Sequence, residues 1–152
     1  MLEKHFETRV SSEIPKEELW NFFSQTENIP RWNPNFVKYN CSCSHERHHT
    51  NVFLHFDLDR NAVGNFRIEE IERDEGSRIK FSIENVLYLK RDYNNFEIIV
   101  DDHLMTFVRY LDLEVFDEHK RPYWYKHFKD HHDSIIESLT RLRIKDGVIS
   151  KE

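Results

Sequence analysis

His132 lies in a regularly spaced apolar stretch and is the first residue of this sequence that suggests chemistry. Residues 123–145 contain neither Gly nor Pro, and a helix there places His132 on the same face as Phe128 and Ile135. An imidazole titrates near neutral pH, so on an apolar face it can orient a ligand or act as a general acid or base. The alternative is a histidine at the edge of the core, hydrogen-bonded to a backbone or tyrosine group. The sequence leaves both interpretations open.

Two further groups of residues suggest a metal site, but neither has the spacing of a strong zinc motif. His127 and His131 are four residues apart, a spacing that can chelate Zn²⁺ from one helix face. Phe128 stands where the H-E-x-x-H motif has its glutamate. The second group lies at a predicted strand end and turn, and comprises Cys41, Cys43, His45, His48 and His49. Because neither group contains a paired C-x-x-C, we predict no bound metal.

The sequence lacks the motifs of nucleotide binding and of serine hydrolases. It has no G-x-G-x-x-G, no phosphate-cradling loop and no G-x-S-x-G, and Gly is scarce. We therefore expect no cofactor. Four charged residues fall within strand patterns, where a charge turned to the interior would mark a ligand head-group site. We expect these four to face solvent: Arg67, Arg109, Asp57 and Glu69.

The composition predicts one domain with an aromatic core and a well-solvated surface. Of the 152 residues, 33% are charged and 14% are aromatic. A chain of this length can bury most of its apolar surface in a single domain, residues 1–152. The formal net charge of −6 and the lack of a dense Lys/Arg stripe argue against nucleic acid as the main partner.

Nothing in the sequence predicts export or integral membrane association. The first ten residues, MLEKHFETRV, lack the apolar region of a signal peptide, and no apolar run is long enough to span a bilayer. Cys41 and Cys43 are the two cysteines, and on a strand their spacing is poor geometry for a mutual disulfide. Free thiols fit a reducing compartment, so we expect a cytoplasmic protein.

The N-terminal part of the chain predicts a strand, a helix and a broken aromatic segment. Residues 5–14 alternate between apolar and polar, as a half-buried strand does, and Pro15 suits the first turn of a helix. A second short helix follows, and then NIPRWNPNF, residues 28–36, whose two prolines break regular structure. We predict that Trp32 and Phe36 are buried against the sheet at the corner where the chain enters it.

The hydrophobic period changes to two after residue 36 and becomes helical again near the C-terminus. Short connections between the strands imply an antiparallel meander. After it, residues 123–145 carry a helical stripe, and Gly147 can end that helix. Helices and strands are thus segregated, as in an α+β domain with a curved sheet and an interior cavity. The six strands are predicted at 36–45, 51–59, 63–72, 77–86, 91–101 and 103–115.

The segment FETRVSSEIPKEELWNFFSQTENIPRWNPNF, residues 6–36, resembles the start of the SRPBCC superfamily. That superfamily has the helix-grip fold, shared by START lipid-transfer domains, birch-pollen-type allergens and polyketide cyclase/dehydrase-like proteins. The chain is most similar to the polyketide cyclase/dehydrase and lipid-transport group. The resemblance implies the order β-α-α-β6-α, with a seven-stranded curved antiparallel sheet wrapped on the long C-terminal helix. It also implies a deep apolar pocket between the sheet and that helix.

Nine side chains are the candidates for lining this pocket. Alternation does not decide which face of the last strand is inside, because Phe107 and Tyr110, on opposite faces, are both apolar enough to be buried. Tyr110, Tyr125 and His132 are the polar groups that we expect to orient a ligand. The nine candidates are Phe56, Phe66, Phe81, Tyr110, Trp124, Tyr125, Phe128, His132 and Ile135.

These observations predict binding of a small hydrophobic or amphipathic molecule, of lipid, polyketide or aromatic type, by a monomer or homodimer. One alternative is an enzyme of the cyclase, dehydrase or hydrolase kind that uses the same cavity, with His132 as the acid or base. Another is a protein-interaction module, resembling a co-chaperone, that binds through an exposed apolar patch. Since fold does not imply function, the choice depends on which polar groups enter the cavity.

Overall fold

The computed structural model describes residues 1–34, 36–40, 51–57, 63–85 and 93–152. Within these ranges it describes only the backbone of four segments, namely 36–40, 51–57, 63–67 and 84–85. The predicted thiol- and imidazole-rich group at Cys41–His49 therefore lies outside the described residues.

Strands and helices follow one another in the predicted order, with one addition at the C-terminus. The chain begins with a strand and a helix, continues through a second short helix into a run of six strands, and then enters the long helix. The elements are β1 Glu3–Ser11, α1 Lys16–Phe23, α2 Ile29–Trp32, β2 Phe36–Asn40, β3 Asn51–Asp57, β4 Val63–Asp74, β5 Arg78–Asn85, β6 Asn94–Asp101, β7 Leu104–Leu111, α3 Arg121–Thr140, β8 Leu142–Lys145 and β9 Val148–Lys151.

The strands before α3 form an antiparallel sheet in the order β1-β7-β6-β5-β4-β3-β2. Neighbours from β2 to β7 are consecutive in sequence, as a meander requires, and β1 joins the far edge beside β7. Bulges interrupt the register of three pairs: β1 with β7, β2 with β3, and β4 with β5. Because a bulge bends its strand and increases the local twist, these irregularities help to curve the sheet around α3.

The C-terminal end of the predicted helix was wrong. Helix α3 ends at Thr140, five residues before the predicted end, and the chain then forms the hairpin β8–β9, a second sheet of two strands. Asp146 and Gly147 form its turn, with φ of 54° and 78°. An Asp-Gly pair between alternating strands favours a two-residue hairpin turn, so Gly147 turns a hairpin and does not end the helix.

The main hydrophobic core lies between the inner face of the large sheet and the helices α1, α2 and α3. The corner predicted at residues 28–36 is confirmed for Trp32, which is fully buried. Its ring packs edge-on against Phe23, Phe96 and Phe107, at centroid distances of 5.5, 5.8 and 6.3 Å. The side chain of Phe36 is not among those that the structure describes.

Strand β7 presents Phe107 to this core, which settles the face that the sequence left open. Phe107 contacts Trp32 and lies 5.3 Å from the ring of His132 on α3. Alternation then turns Arg109 inward and Tyr110 outward. The inner face of β7 therefore carries a cation directly beside the aromatic core.

Candidate functional site

Arg109 is buried on the inner face of the sheet, so the expectation that it faces solvent was wrong. Its side chain is 3% exposed. The guanidinium carbon lies 5.7 Å from the ring centroid of Phe96 and 5.5 Å from that of Phe107. Nη1 donates a hydrogen bond to Oδ1 of Asn94 at 2.8 Å, whereas Nε bonds to none of the described residues. The cation is thus held by an amide and two aromatic rings.

The charge of Arg109 is not balanced by any carboxylate that the structure describes. Burial lowers its pKa to about 10, and the phenol of Tyr93 acts in the opposite direction. The guanidinium is therefore protonated at neutral pH. An unpaired charge in an apolar interior is costly, so this position needs a physical reason beyond stability.

His132 lies opposite Arg109 on the inner face of α3 and is 2% exposed. Its Nε2 is 2.8 Å from the hydroxyl of Thr8 on β1, and its ring packs against Phe6 and Phe107 at 5.3 Å each. Burial, and next the positive charge of Arg109, lower the pKa of His132 to about 4. The imidazole is consequently neutral at pH 7. Its Nδ1 is buried and has no hydrogen-bond partner among the described residues.

Three buried polar groups contact the ring of Phe107, and we call them the Phe107 polar cluster: Trp32, Arg109 and His132. Each has a ring nitrogen or guanidinium nitrogen that bonds to no described residue, namely Trp32 Nε1, Arg109 Nε and His132 Nδ1. Folded proteins satisfy about nine in ten of their buried polar atoms. A group of such atoms in an aromatic wall is therefore typical of a place where a buried water or a bound molecule supplies the missing partners.

His127 and His131 are close together, as their helical spacing predicts, with ring centroids 4.1 Å apart. Burial lowers the pKa of His131 to about 3, with smaller contributions from His127 and Arg109. No group of three His, Cys, Asp or Glu side chains with metal-binding geometry occurs in the described parts of the chain. A cation at this pair would also face the positive charge of Arg109.

Besides His132, three of the predicted pocket residues are buried between the sheet and α3, and a fourth, Trp124, is half-buried beside Phe128. Phe81 stacks on Phe96 at 4.9 Å, and Ile135 is fully buried in the main core. Phe128 and Trp124 belong to a second cluster at the N-terminal end of α3, together with Phe6, Tyr93 and Leu111. The side chains of two further candidates, Phe56 and Phe66, are not described, and their backbones lie in β3 and β4.

Tyr110 and Tyr125 do not enter the space between the sheet and α3. Tyr110 is on the outer face, where its hydroxyl donates to Oε1 of Glu97 at 3.1 Å and the ammonium of Lys80 lies 4.2 Å from its ring centroid. Burial, and next Glu97, raise the pKa of Tyr110 to about 12. Tyr125 is 43% exposed and covers Phe6 at the edge of β1.

Sequence reasoning missed Arg109 and Asn94 as interior polar groups. Both follow strand alternation, since Arg109 is two residues from Phe107 and Asn94 is two residues from Phe96. The signal was therefore present once the inner face of either strand was known. The sequence alone does not show which face of β7 is turned to the core, because apolar residues occupy both of its sides.

A surface groove of about 770 Å³ lies outside this interior, between α1 and the turns that follow β4 and β6. Lys16, Trp20, Glu75 and Asp102 are among its lining residues. The groove is open to solvent and several charged residues line it, so it differs from the predicted enclosed apolar cavity.

Solved structures of known proteins share the fold, whereas no family model and no curated protein matches the sequence. The Zhui aromatase/cyclase from Streptomyces sp. R1128 matches with a TM-score of 0.68 and 12% identity, over 97% of this chain and 100% of that one. A START superfamily protein from Mycobacterium smegmatis matches with 0.65 and 14%, over 91% and 95%. Ara h 8.0201 matches with 0.63 and 10%, over 92% and 96%.

The chain therefore has the START-like, helix-grip fold that residues 6–36 predicted. At 10 to 14% identity these matches establish the architecture and not the activity. Among the described helices, none is long and apolar enough to cross a bilayer.

Proposed function

We propose that this protein binds a small hydrophobic or amphipathic molecule between the inner face of the sheet and α3. The observation that carries the proposal is the Phe107 polar cluster, in which three nitrogen atoms without a partner among the described residues lie in an otherwise aromatic wall. The fold is shared with an aromatase/cyclase and with a START superfamily protein, and both matches are compatible with the proposal.

Binding in such a site follows from desolvation and orientation. Phe96 and Phe107 provide apolar surface, and removing a ligand's apolar area from water supplies most of the affinity. Arg109, Asn94 and His132 then select the orientation, because a ligand that leaves buried donors unpaired binds less tightly. No covalent step, metal or cofactor is needed for this role.

Trp32 provides a direct test, since it contacts Phe107 and is one of 3 tryptophans. In a variant with Trp20→Phe and Trp124→Phe, all tryptophan emission comes from Trp32. Titration with the neutral probe N-phenyl-1-naphthylamine should quench this emission saturably, by energy transfer to the bound probe. Tyr110→Phe in the same background is the matched control on the outer face and should leave the titration unchanged. Failure of the probe and of unlabelled fatty or aromatic compounds to change Trp32 emission in the folded protein would overturn the proposal.

An enzymatic role of the same site is the second candidate, and the pairing of His132 with Arg109 favours it. A neutral imidazole can accept a proton, and a nearby guanidinium can stabilise negative charge that develops on a carbonyl oxygen. This role predicts turnover of a cyclisable or hydrolysable compound by wild type, lost in His132→Ala while binding persists. A pure binding protein shows no turnover in either form.

A protein-interaction role is favoured by a different observation, the exposure of Tyr123 and Tyr125 on α3, at 58% and 43%. Tyr123→Ser with Tyr125→Ser should abolish capture of a partner in a pull-down if this surface carries the function. A cytoplasmic location and the choice between monomer and homodimer stay expectations from the sequence.

A further inference from the structure

We infer that the molecule bound beside Arg109 carries an anionic head group, a carboxylate or an enolate, that pairs with the guanidinium. The inference rests on the proposed function and narrows its ligand class to amphipathic acids. The shared fold does not specify an acidic ligand. The inference depends instead on the position of one cation, Arg109, on the inner face of β7.

The surroundings of Arg109 are neutral in the described part of the structure. Its hydrogen-bond partner is the amide of Asn94, and its guanidinium carbon lies over the rings of Phe96 and Phe107. Aromatic faces attract a cation, but much less strongly than a carboxylate does at hydrogen-bond distance. The guanidinium is therefore charged, buried and without a described counterion.

The geometry of the guanidinium leaves one edge for a planar anion. Nη1 is used by Asn94, whereas Nε bonds to no described residue. Nε and Nη2 point in parallel along the remaining edge, the arrangement that takes both oxygens of a carboxylate. An enolate oxygen, or the oxygen of a polarised carbonyl that becomes one, can use the same donors singly.

The neighbouring titratable groups also favour an anion over a cation. His131 and His132 both face Arg109, and its charge depresses the pKa of each in addition to burial. Lys129, on the next turn of α3, lowers the pKa of His132 as well, while Asp133 raises it. In the described part of the structure, the charge of Arg109 thus acts on both imidazoles, and an anionic head group would neutralise it.

The aromatic side chains around Arg109 determine what the remainder of the ligand must be. A small inorganic anion would leave the aromatic wall of Phe96, Phe107 and Phe6 without an apolar partner, so we expect an acid with an aliphatic or aromatic body. Fatty acids and aryl acids share the same head group, and the experiment therefore includes one pair of each type.

The test compares an acid with its neutral alcohol in the intact protein. The pairs are dodecanoic acid with dodecan-1-ol and 2-naphthoic acid with 2-naphthalenemethanol, measured by displacement of N-phenyl-1-naphthylamine. Wild type should bind the acid of at least one pair more tightly than the alcohol. Arg109→Met should weaken binding of that acid by about 30-fold or more, as loss of one partner of a buried charge pair does, and change the alcohol less than about threefold. Arg109→Lys should retain part of the preference.

Lys80→Met is the matched control, because it removes a cation from the adjacent region of the sheet on the outer face. It should leave both affinities unchanged.

Equal binding of acid and alcohol by wild type, or an acid affinity that Arg109→Met does not reduce, overturns the anionic ligand and leaves the binding function intact. Binding of neither member of either pair by folded wild type contradicts the proposed function itself. Arg109→Gln, checked by circular dichroism, replaces Arg109→Met if the latter does not fold.

Discussion

Arg109 and His132 are both buried between the sheet and α3, and they differ in charge at neutral pH. The guanidinium keeps its proton despite burial, with a pKa of about 10, whereas the imidazole, with a pKa of about 4, is neutral. The first group is a permanent cation, and the second is a neutral group with one nitrogen bonded to Thr8. Together they provide a strong donor and a weak donor or acceptor at the same aromatic wall, which suits a ligand with one acidic group and further oxygen atoms.

At the residue scale, we predict that Arg109→Met stabilises the ligand-free protein. Removing a buried charge that has no carboxylate partner among the described residues relieves its desolvation cost, and a methionine side chain fills much of the same volume. The free energy of unfolding should rise by about 1–3 kcal/mol, measured by urea denaturation of delipidated protein. Lys80→Met removes the cation–π contact with Tyr110 and should lower it by less than about 1 kcal/mol. A loss of stability on Arg109→Met would indicate that the guanidinium makes a stabilising pair in the native protein.

A second prediction at this scale concerns acid sensitivity. The pKa of His132 is lowered to about 4 in the folded protein, so the unfolded chain binds its proton first as the pH falls. Stability from this group is complete above about pH 6.5 and decreases down to about pH 4. Between pH 7 and pH 5 the loss should be about 1–2 kcal/mol for His132.

The measurement is urea unfolding of wild type and His132→Phe at both pH values. The charged and titratable groups that face His132 are Arg109, Lys129, Asp133 and His131, and they are unchanged in the variant. His132→Phe should show a smaller loss between pH 7 and pH 5 than wild type, and the exposed His119→Gln should show the wild-type loss. Identical losses in wild type and His132→Phe would refute a depressed pKa at this position.

At the element scale, the β8–β9 hairpin is the part of the fold that the sequence pattern misassigned. The helical stripe continues through Leu142, which is three residues after Leu139, so the periodicity alone extends α3 too far. In the structure both leucines are buried in the main core, one from a helix and one from a strand. Arg31 of α2 donates a hydrogen bond to the backbone oxygen of Ile149 at 2.5 Å, which connects the hairpin to the corner at residues 28–36.

The turn of this hairpin gives the third prediction. Gly147 has φ of 78°, a conformation that a β-branched residue adopts at considerable cost. Gly147→Val should therefore lower the free energy of unfolding by about 1–2 kcal/mol in thermal or urea unfolding. Val148→Ala, at an exposed position of β9, is the control and should cost less than about 0.5 kcal/mol. A Gly147→Val variant as stable as the control would show that the turn does not have this backbone conformation.

At the scale of the whole molecule, the element order was predictable and the composition of the interior was not. Alternation and the broken segment around Trp32 sufficed for the run of strands and for the corner. The inward position of Arg109 depends on the register of β7 with β6 and β1, where Arg109 lies opposite Phe96 and Phe6. Such pairing is tertiary information, and a local pattern that is apolar on both faces does not contain it.

The fold sets the architecture of the interior, and individual side chains set its chemistry. The architecture is shared with an aromatase/cyclase, a START superfamily protein and Ara h 8.0201 at 10 to 14% identity. Such low identity permits different residues at nearly every interior position. We propose that the cation at Arg109 is the feature of this chain that most limits which molecule the interior can bind.

Native mass spectrometry of the protein as purified tests the central claim most directly. We predict a mass above that of the 152-residue chain, from a small molecule that organic extraction releases and that negative-ion spectra identify as an acid. The occupied fraction should fall in Arg109→Met and remain unchanged in Lys80→Met. A wild-type protein that is folded, carries no such molecule and acquires none on incubation with the fatty and aryl acids would contradict a ligand site between the sheet and α3.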